Sequence, residues 1–407
     1  MLFNMKINIR HISNTFNYGS FMMAITLIEY INLKVNDVKF YVDTFTANDL
    51  ERLKKETGVK SLIRYNIPNT NKFTKKCINK LKKIKLNRMI KDTDIIIIIG
   101  GDDISEYYGV KGLIKELNKF KKESLKKNII LLGQTMGPFT DNRGQLAKEC
   151  LSKTKVYTRD DKNFNYLCNL EFSNVKKGRD LAFAQLPMQY KAKHILKKYN
   201  LIKDSYITVV TSGLTKCYTD NLDAYLKEEI KILENILVNK KLIDKKIVLL
   251  PHVLLPEHVD DRLIIKEIMK KIDNKFKDRI IDIYDEMLPS EAREILGNGL
   301  FTITGRMHAA VSTFYMRKPA ISLSYSIKYS GVIGDGLDMN ELVIESANEQ
   351  LWSNGEISKL VDEKVNYILE NYDELIKKID VKVLETSRIV EEELEDVVNQ
   401  IKNRITN

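Results

Sequence analysis

Arg306, His308 and Lys328 carry the chemistry of the stretch LFTITGRMHAAVSTFYMRKPAISLSYSIKYSG, residues 300–331. The run reads strand, helix, strand, and its hydrophobic pattern requires none of the three. Arginine offers a planar, two-pronged contact to a carboxylate or phosphate, whereas lysine acts as a point charge. Histidine changes charge near neutrality and can move a proton. Gly305 breaks the first strand and Arg306 falls at the helix start, where the dipole and free N–H groups favour an anion. Residues two apart inside a helix point about 200° apart. Arg306 and His308 can therefore share a ligand only if Arg306 lies at or before the first turn. Lys328, just past the next strand, opens onto the same edge. The three predict half of a cleft that binds phosphate and carboxylate groups.

Further turns carry polar residues just after strands. In HISNTFNYGSFMMAITLIEYI, residues Asn17, Gly19 and Ser20 sit where a helix starts. Gly19 lets backbone approach a ligand, and Ser20 can cap the helix or contact a phosphate. In DIIIIIGGDDISEYYG, Gly100 and Gly101 permit close approach, while Asp102 and Asp103 suit sugar hydroxyls, general-base work or an N-cap. Two glycines without the full G-x-G-x-x-G spacing are weak grounds for a dinucleotide. In LLGQTMGPFTDNRG, Gly133, Gly137 and Pro138 shape a loop with Gln134 and Thr135 as neutral donors, or form an ordinary turn. VYTRDD places Arg159 and Asp160 after another strand, a pair equally at home in a structural role. His252 follows the strand of LLPHVLLPEHVDDR, and Asp261 begins a helix after its Pro-containing loop.

The elements that must position these turns alternate. Strand-like runs fall at 6–12, 37–43, 94–100, 128–134, 154–160, 205–212, 245–252, 279–285, 300–304 and 320–326. Helical patterns fall at 20–32, 105–121, 142–153, 220–239, 260–274 and 289–297. Continuous apolar strands separated by helices imply parallel sheets covered on both faces, hence an α/β protein. The stretch LPMQYKAKHILKKYNLIKDS (186–205) looks like a connector. The expected division is an α/β domain over 1–190, a second over 191–345 carrying the anionic ligand, and a helical tail over 346–407 packing across them. Two Rossmann-like parallel sheets facing a cleft would bind ligands at the carboxyl ends of their strands.

Composition narrows the classes. The 407 residues suit two domains rather than one core. Apolar residues make up 43 % and charged residues 30 %, the balance of a soluble globular protein. No run approaches the ~18 apolar residues of a membrane helix, and the N-terminus lacks a signal-peptide core. A cytoplasmic protein is expected. Cys77, Cys150, Cys168 and Cys217 have no Cys-x-x-Cys spacing, so neither a zinc site nor a disulfide framework is expected. The net charge of +11 favours anionic partners. KFTKKCINKLKKIKLNRMIK (72–91) holds nine basic residues and no acidic one. It reads as a solvated helix face or as a dock on an anionic membrane surface; no nucleic-acid-binding motif accompanies it.

Taken in order, these turns resemble the polysaccharide pyruvyl transferase family. The similar segments are NYGSFMMAITL, DIIIIIGGDD, GQTMGPF, VYTRDD, LLPH…DD and GRMHAAVSTFYMRKPAISLSYSIK. The last is the most specific, matching the family's Arg-x-His, Pro and Lys as Arg306, His308, Pro319 and Lys328. Where the family commonly has three glycines, this chain has Gly100, Gly101 and then Asp102. The resemblance implies a GT-B-like fold and transfer of pyruvate from phosphoenolpyruvate to a sugar or lipid-linked oligosaccharide, without a metal or other cofactor. It casts His308 as general acid, Asp102 or Asp103 as base, and Arg306 and Lys328 as the grip on phosphoenolpyruvate. Asn17, Gly19, Ser20, Gly100, Gly101, Gln134, Gly137, Arg159 and His252 are the further binding candidates. A nucleotide-sugar glycosyltransferase and a non-catalytic assembly protein at the membrane surface are the alternatives.

Overall fold

The computed structural model describes residues 5–12, 14–65, 88, 89 and 91–406. Of the basic stretch 72–91, all but residues 88, 89 and 91 lies outside the described residues. The chain divides into two compact units. One comprises Met1–Thr15, Ser20–Leu181 and Arg388–Asn407; the other comprises Phe16–Gly19 and Ala182–Ser387. The division after Leu181 falls earlier than residue 190. Arg293 donates to Ala182 O and Ala184 O at 2.6 and 2.9 Å, and Gln189 donates to Ser290 O at 3.0 Å, which ties residues 182–189 to the second unit. The connector folds into a short helix, His194–Lys198, and its Ile195 and Leu201 enter the core of the same unit. The final helix, Tyr372–Thr406, is shared, its first part counting with the second unit and its last part with the first.

The first unit is built on seven parallel strands: β1 (Met5–Arg10), β2 (Val38–Val42), β3 (Leu62–Arg64), β4 (Ile95–Ile99), β5 (Asn128–Gln134), β6 (Thr154–Thr158) and β7 (Val175–Lys177). Their order is β3-β2-β1-β4-β5-β6-β7. The five isoleucines of β4 occupy the central position and are buried on both faces, as a strand covered by helices on each side must be. Leu113, Leu117 and Phe120 recur at helical spacing in the helix Val110–Ser124 and bury against Ile96, Ile98, Ile129 and Leu131.

The second unit carries six parallel strands: β8 (Tyr206–Val210), β9 (Lys246–Leu249), β10 (Ile280–Asp282), β11 (Thr302–Thr304), β12 (Ala320–Ser324) and β13 (Val343–Glu345). Their order is β10-β9-β8-β11-β12-β13. Both sheets split the same way. In one, the chain grows outward from β1 to β3 and restarts beside β1 with β4. In the other it grows from β8 to β10 and restarts beside β8 with β11. Each restart is a topological switch point, where loops diverge and leave a crevice beyond the strand ends. The turns singled out in the sequence end β1, β4, β5, β6, β9, β11 and β12, and three of them, after β1, β4 and β11, lie at the switch points. Among the described residues no helix is long and apolar enough to cross a membrane.

Candidate functional site

Asp261 organises the switch point of the second unit. Its carboxylate is fully buried and collects donors from three loops. Oδ1 accepts from Gly213 N at 2.8 Å and from Arg306 Nη2 and Nε at 2.6 and 3.1 Å. Oδ2 accepts from His252 N at 2.9 Å and Val253 N at 2.8 Å. The ends of β8, β9 and β11 are therefore tied to one side chain.

Arg306 is the N-cap of the helix Met307–Tyr315, in extended conformation, with its N–H held by Thr304 Oγ1 at 2.8 Å. It thus precedes the first turn, the condition for sharing a ligand with His308. The guanidinium is occupied, however. Nε and Nη2 face Asp261, and Nη2 also donates to Val259 O at 2.9 Å; among the described residues Nη1 makes no hydrogen bond. The two-pronged grip expected of Arg306 is reduced to one nitrogen, because a buried cation needs a buried counter-charge. Burial alone would weaken its charge, and Asp261 more than restores it.

His308 is half-buried in the first turn of the same helix. Gly19 explains its seat: a Cβ there would lie 2.3 Å from His308 Nδ1, so only glycine lets the 16–19 turn meet the imidazole. That turn lies along residues 252–254 like a short strand. Tyr18 N donates to His252 O at 3.2 Å, Leu254 N donates to Phe16 O at 3.0 Å, and Asn17 pairs with Val253. The Tyr18 and His252 rings meet edge to face at 5.4 Å. Burial, helped by the charges of His308, Arg306 and Arg293, drives the His252 pKa well below its ordinary value. His252 is therefore a neutral hydrogen-bonding group at pH 7.

The turn before Arg306 is locked from beneath. Tyr218 and Tyr329 donate to Gly305 O at 2.8 and 2.7 Å, and burial keeps both phenols protonated. Tyr325 packs edge-on against both at 5.5 and 5.4 Å, and Lys328 Nζ donates to its hydroxyl at 2.8 Å. Lys328, half-buried after β12, is thus joined to the Arg306 turn through an aromatic cluster that also includes Tyr225 and Trp352.

Deeper in that cluster, Glu229 is buried, and desolvation, with the charges of Glu228 and Asp261, raises its pKa to about 7. A raised carboxyl contributes stability that is complete below its unfolded value of 4.5 and lost as pH rises towards 7. The loss amounts to roughly 3 kcal/mol. Glu229→Gln is expected to gain on the natural protein progressively between pH 5 and 7 and to hold that gain above. Trp352, the only tryptophan, reports it in urea titrations. A difference independent of pH would contradict a buried, titrating Glu229.

The first unit presents the remaining candidates at the carboxyl ends of β4, β5 and β6. Gly100 N donates to Leu132 O at 2.6 Å and Thr135 N to Gly101 O at 2.9 Å, so the two turns brace each other. Gln134 is buried and spends its amide on Ile98 O and Leu132 O, at 3.3 and 3.2 Å. Gly137 N donates to Ile104 O at 2.9 Å. Arg159 is 2 % exposed, donating to Thr135 Oγ1 at 2.7 Å with Asp180 at 3.8 Å, and Asp160 caps the next helix through Asn163 N at 2.7 Å. Gln134 and Asp160 serve the loops themselves, whereas Arg159 Nη2 is buried without a hydrogen-bond partner among the described residues. Ser20 lies inside the first turn of the helix Tyr18–Lys34 rather than at its cap. Asp102 is half-buried, and Asp103 is exposed and faces His11 at 3.4 Å.

Two positions escaped the sequence reading. Asp261 looked like the first residue of a helix, and no spacing reveals donors drawn from residues 213, 252, 253 and 306. His11 was read as part of a strand over 6–12, whereas β1 stops at Arg10 and leaves His11 at the strand end.

Residues 17–327 match the family model described as polysaccharide pyruvyl transferase. Among solved structures, the chain is similar to UDP-GlcNAc 2-epimerase from Neisseria meningitidis, solved bound to UDP-GlcNAc: TM-score 0.60, 10 % identity, 97 % of this chain and 99 % of that one. The UDP-N-acetylglucosamine 2-epimerase of Rickettsia bellii gives 0.54 and 13 %, over 97 % and 98 %. The N-terminal domain of Candida albicans trehalose-6-phosphate phosphatase gives 0.53 and 10 %, over 99 % and 97 %. At these identities the likeness is one of fold, a GT-B-like pair of parallel-sheet domains with a helical C-terminal tail.

Proposed function

The chain belongs to the polysaccharide pyruvyl transferase family, and from that premise we propose that it moves pyruvate from phosphoenolpyruvate to hydroxyls of a cell-surface polysaccharide sugar or its precursor, releasing phosphate. The observation that carries this reading is the grouping at the β8/β11 switch point. There Arg306 and His308 share one helix start, with neutral His252 beside them and Lys328 joined through Tyr325.

Ketal formation from phosphoenolpyruvate begins with a proton delivered to the enol methylene, which leaves a cationic carbon stabilised by its oxygen. A hydroxyl adds and loses its proton, phosphate departs, and a second hydroxyl closes the ketal. Of the two hydroxyl protons, one replaces that delivered to the methyl group and one leaves with phosphate. His308 suits the acid, since it stands in the first turn of the helix behind Arg306 and an imidazolium donates a proton from a ring nitrogen. Lys328 supplies point charge for the phosphate or carboxylate. Arg306, balanced by Asp261, adds one hydrogen bond from Nη1, and His252 adds a neutral one.

Donor class is tested by thermal stabilisation. Phosphoenolpyruvate is expected to raise the melting temperature, and Lys328→Ala to weaken that rise by about tenfold in ligand concentration, the effect of one charged contact of roughly 1.5 kcal/mol. Stabilisation by UDP-sugars and not by phosphoenolpyruvate would favour a glycosyltransferase instead.

A further inference from the structure

We propose that the cleft at the amino ends of β8, β11 and β12 is a second carbohydrate site, one that takes an acidic glycan; the choice of glycan rests on the pyruvyl-transfer reading above. The cleft lies wholly within the second unit, at the end of its sheet opposite the Arg306 turn. Lys203 precedes β8, while Asn298 and Lys318 precede β11 and β12. With Gln189, Tyr190 and Arg317 they line a cavity of about 690 Å³, within the size range of small-molecule sites. Arg306 and Lys328 follow β11 and β12 at their other ends.

The polar groups of the cleft suit sugar hydroxyls. Glu294 is 6 % exposed and is held by amides, with no cation paired to it among the described residues. Gln189 Nε2 donates to its Oε2 at 2.8 Å and Asn298 Nδ2 to its Oε1 at 3.1 Å. Gln189 Oε1 is buried with no hydrogen-bond partner among the described residues, a costly state that a donating hydroxyl relieves. Amide and carboxylate groups set side by side offer both donors and acceptors, and a hydroxyl is itself both. Tyr190, 66 % exposed, adds an aromatic face that can cover the apolar side of a sugar ring.

The rim sets the sign of the ligand. Four cations and two carboxylates, Glu294 and Asp373, line the cavity. Lys318 is tied to Asp204, and Arg317 Nε donates to Asp380 Oδ1 at 2.9 Å. Lys193 and Lys203 are exposed and form no ion pair among the described residues, and Arg317 Nη2 makes no hydrogen bond there. Arg317 stands at φ 63°, just past the helix Met307–Tyr315, where glycine is the usual residue. The turn thus carries a guanidinium at a conformational cost, as ligand clamps often do. Pyruvyl transfer leaves a carboxylate on each sugar it modifies, so its product is an acidic glycan. The cleft fits that modified chain better than the neutral acceptor.

Titration calorimetry with trigalacturonate, a short sugar chain bearing carboxylates, and with neutral galactotriose tests the site without the donor. Trigalacturonate is expected to bind about tenfold more tightly, the effect of one charged contact. Arg317→Gly is the informative variant, because glycine adopts φ 63° freely and the turn is preserved. It should weaken trigalacturonate binding about tenfold. Tyr190→Ala, at an exposed position that the fold does not need, should weaken it about fivefold. Phosphoenolpyruvate should stabilise both variants as it does the natural protein, since neither residue stands at the Arg306 end of the sheet. Trigalacturonate that binds no better than galactotriose, or that binds both variants as it binds the natural protein, would overturn the site. Equally tight binding of inorganic phosphate or of phosphatidylglycerol vesicles would overturn it too, leaving a general anion patch. Trigalacturonate binding by a protein inert towards phosphoenolpyruvate with every acceptor would overturn the pyruvyl-transfer reading and support the glycan site by itself.

Discussion

His308→Ala is expected to reduce turnover by 10²- to 10⁴-fold, the usual contribution of a positioned acid, with little change in the KM for phosphoenolpyruvate. The enol methylene is a poor base, so the reaction depends on a proton delivered at one carbon. Charge that merely attracts the donor does not replace that transfer. His308 occupies the first turn of the helix behind Arg306, its ring seated against Gly19. Alanine empties that seat, so the variant must first show an unchanged unfolding midpoint by Trp352 fluorescence. His308→Gln keeps much of the volume and should be nearly as slow. A folded His308→Ala enzyme with normal turnover and a raised KM would make His308 a binding group and end its role as acid.

Asp261→Ala carries the largest expected structural penalty, on the order of 3–5 kcal/mol, the cost of leaving a buried charge without its partner. Arg306 would remain buried beside an empty position, and the N–H groups of Gly213, His252 and Val253 would lose their acceptor together. Asp261→Asn keeps a carbonyl oxygen for part of this set and should cost less. The double variant Asp261→Ala/Arg306→Ala should recover part of the loss, since no uncompensated cation is left. Trp352 lies in the same unit, buried and stacked on Tyr225 at 4.7 Å, so its fluorescence in urea follows this unit directly. Independent, additive losses for the two residues would show that the ion pair is not the knot that ties these loops.

Ten of the thirteen strands were readable as apolar runs, because a parallel strand buried on both faces must be continuous in hydrophobicity. The three that were not, β3, β7 and β13, are three-residue strands at sheet edges. They carry Arg64, Lys176 and Lys177, and Glu345 in place of a full apolar stretch, as edge strands often do. The helix Ala47–Thr57 was also passed over, since it buries few apolar side chains; its signal was the capping box of Thr46 and Asp49. Turn residues at strand ends stood out because nothing in the hydrophobic pattern required them. Strand order did not, because periodicity carries no record of which strand lies beside which. Without that order, His11 had no relation to Asp103, and Asp261 none to Arg306.

The central claim is that phosphoenolpyruvate is the pyruvyl donor, and phosphate release in the presence of a panel of polysaccharide acceptors tests it most directly. Stoichiometric release of phosphate that depends on one acceptor, with the acceptor gaining a pyruvyl group by mass, is the predicted result. No acceptor-dependent release from phosphoenolpyruvate, alongside turnover of a sugar nucleotide, would contradict it.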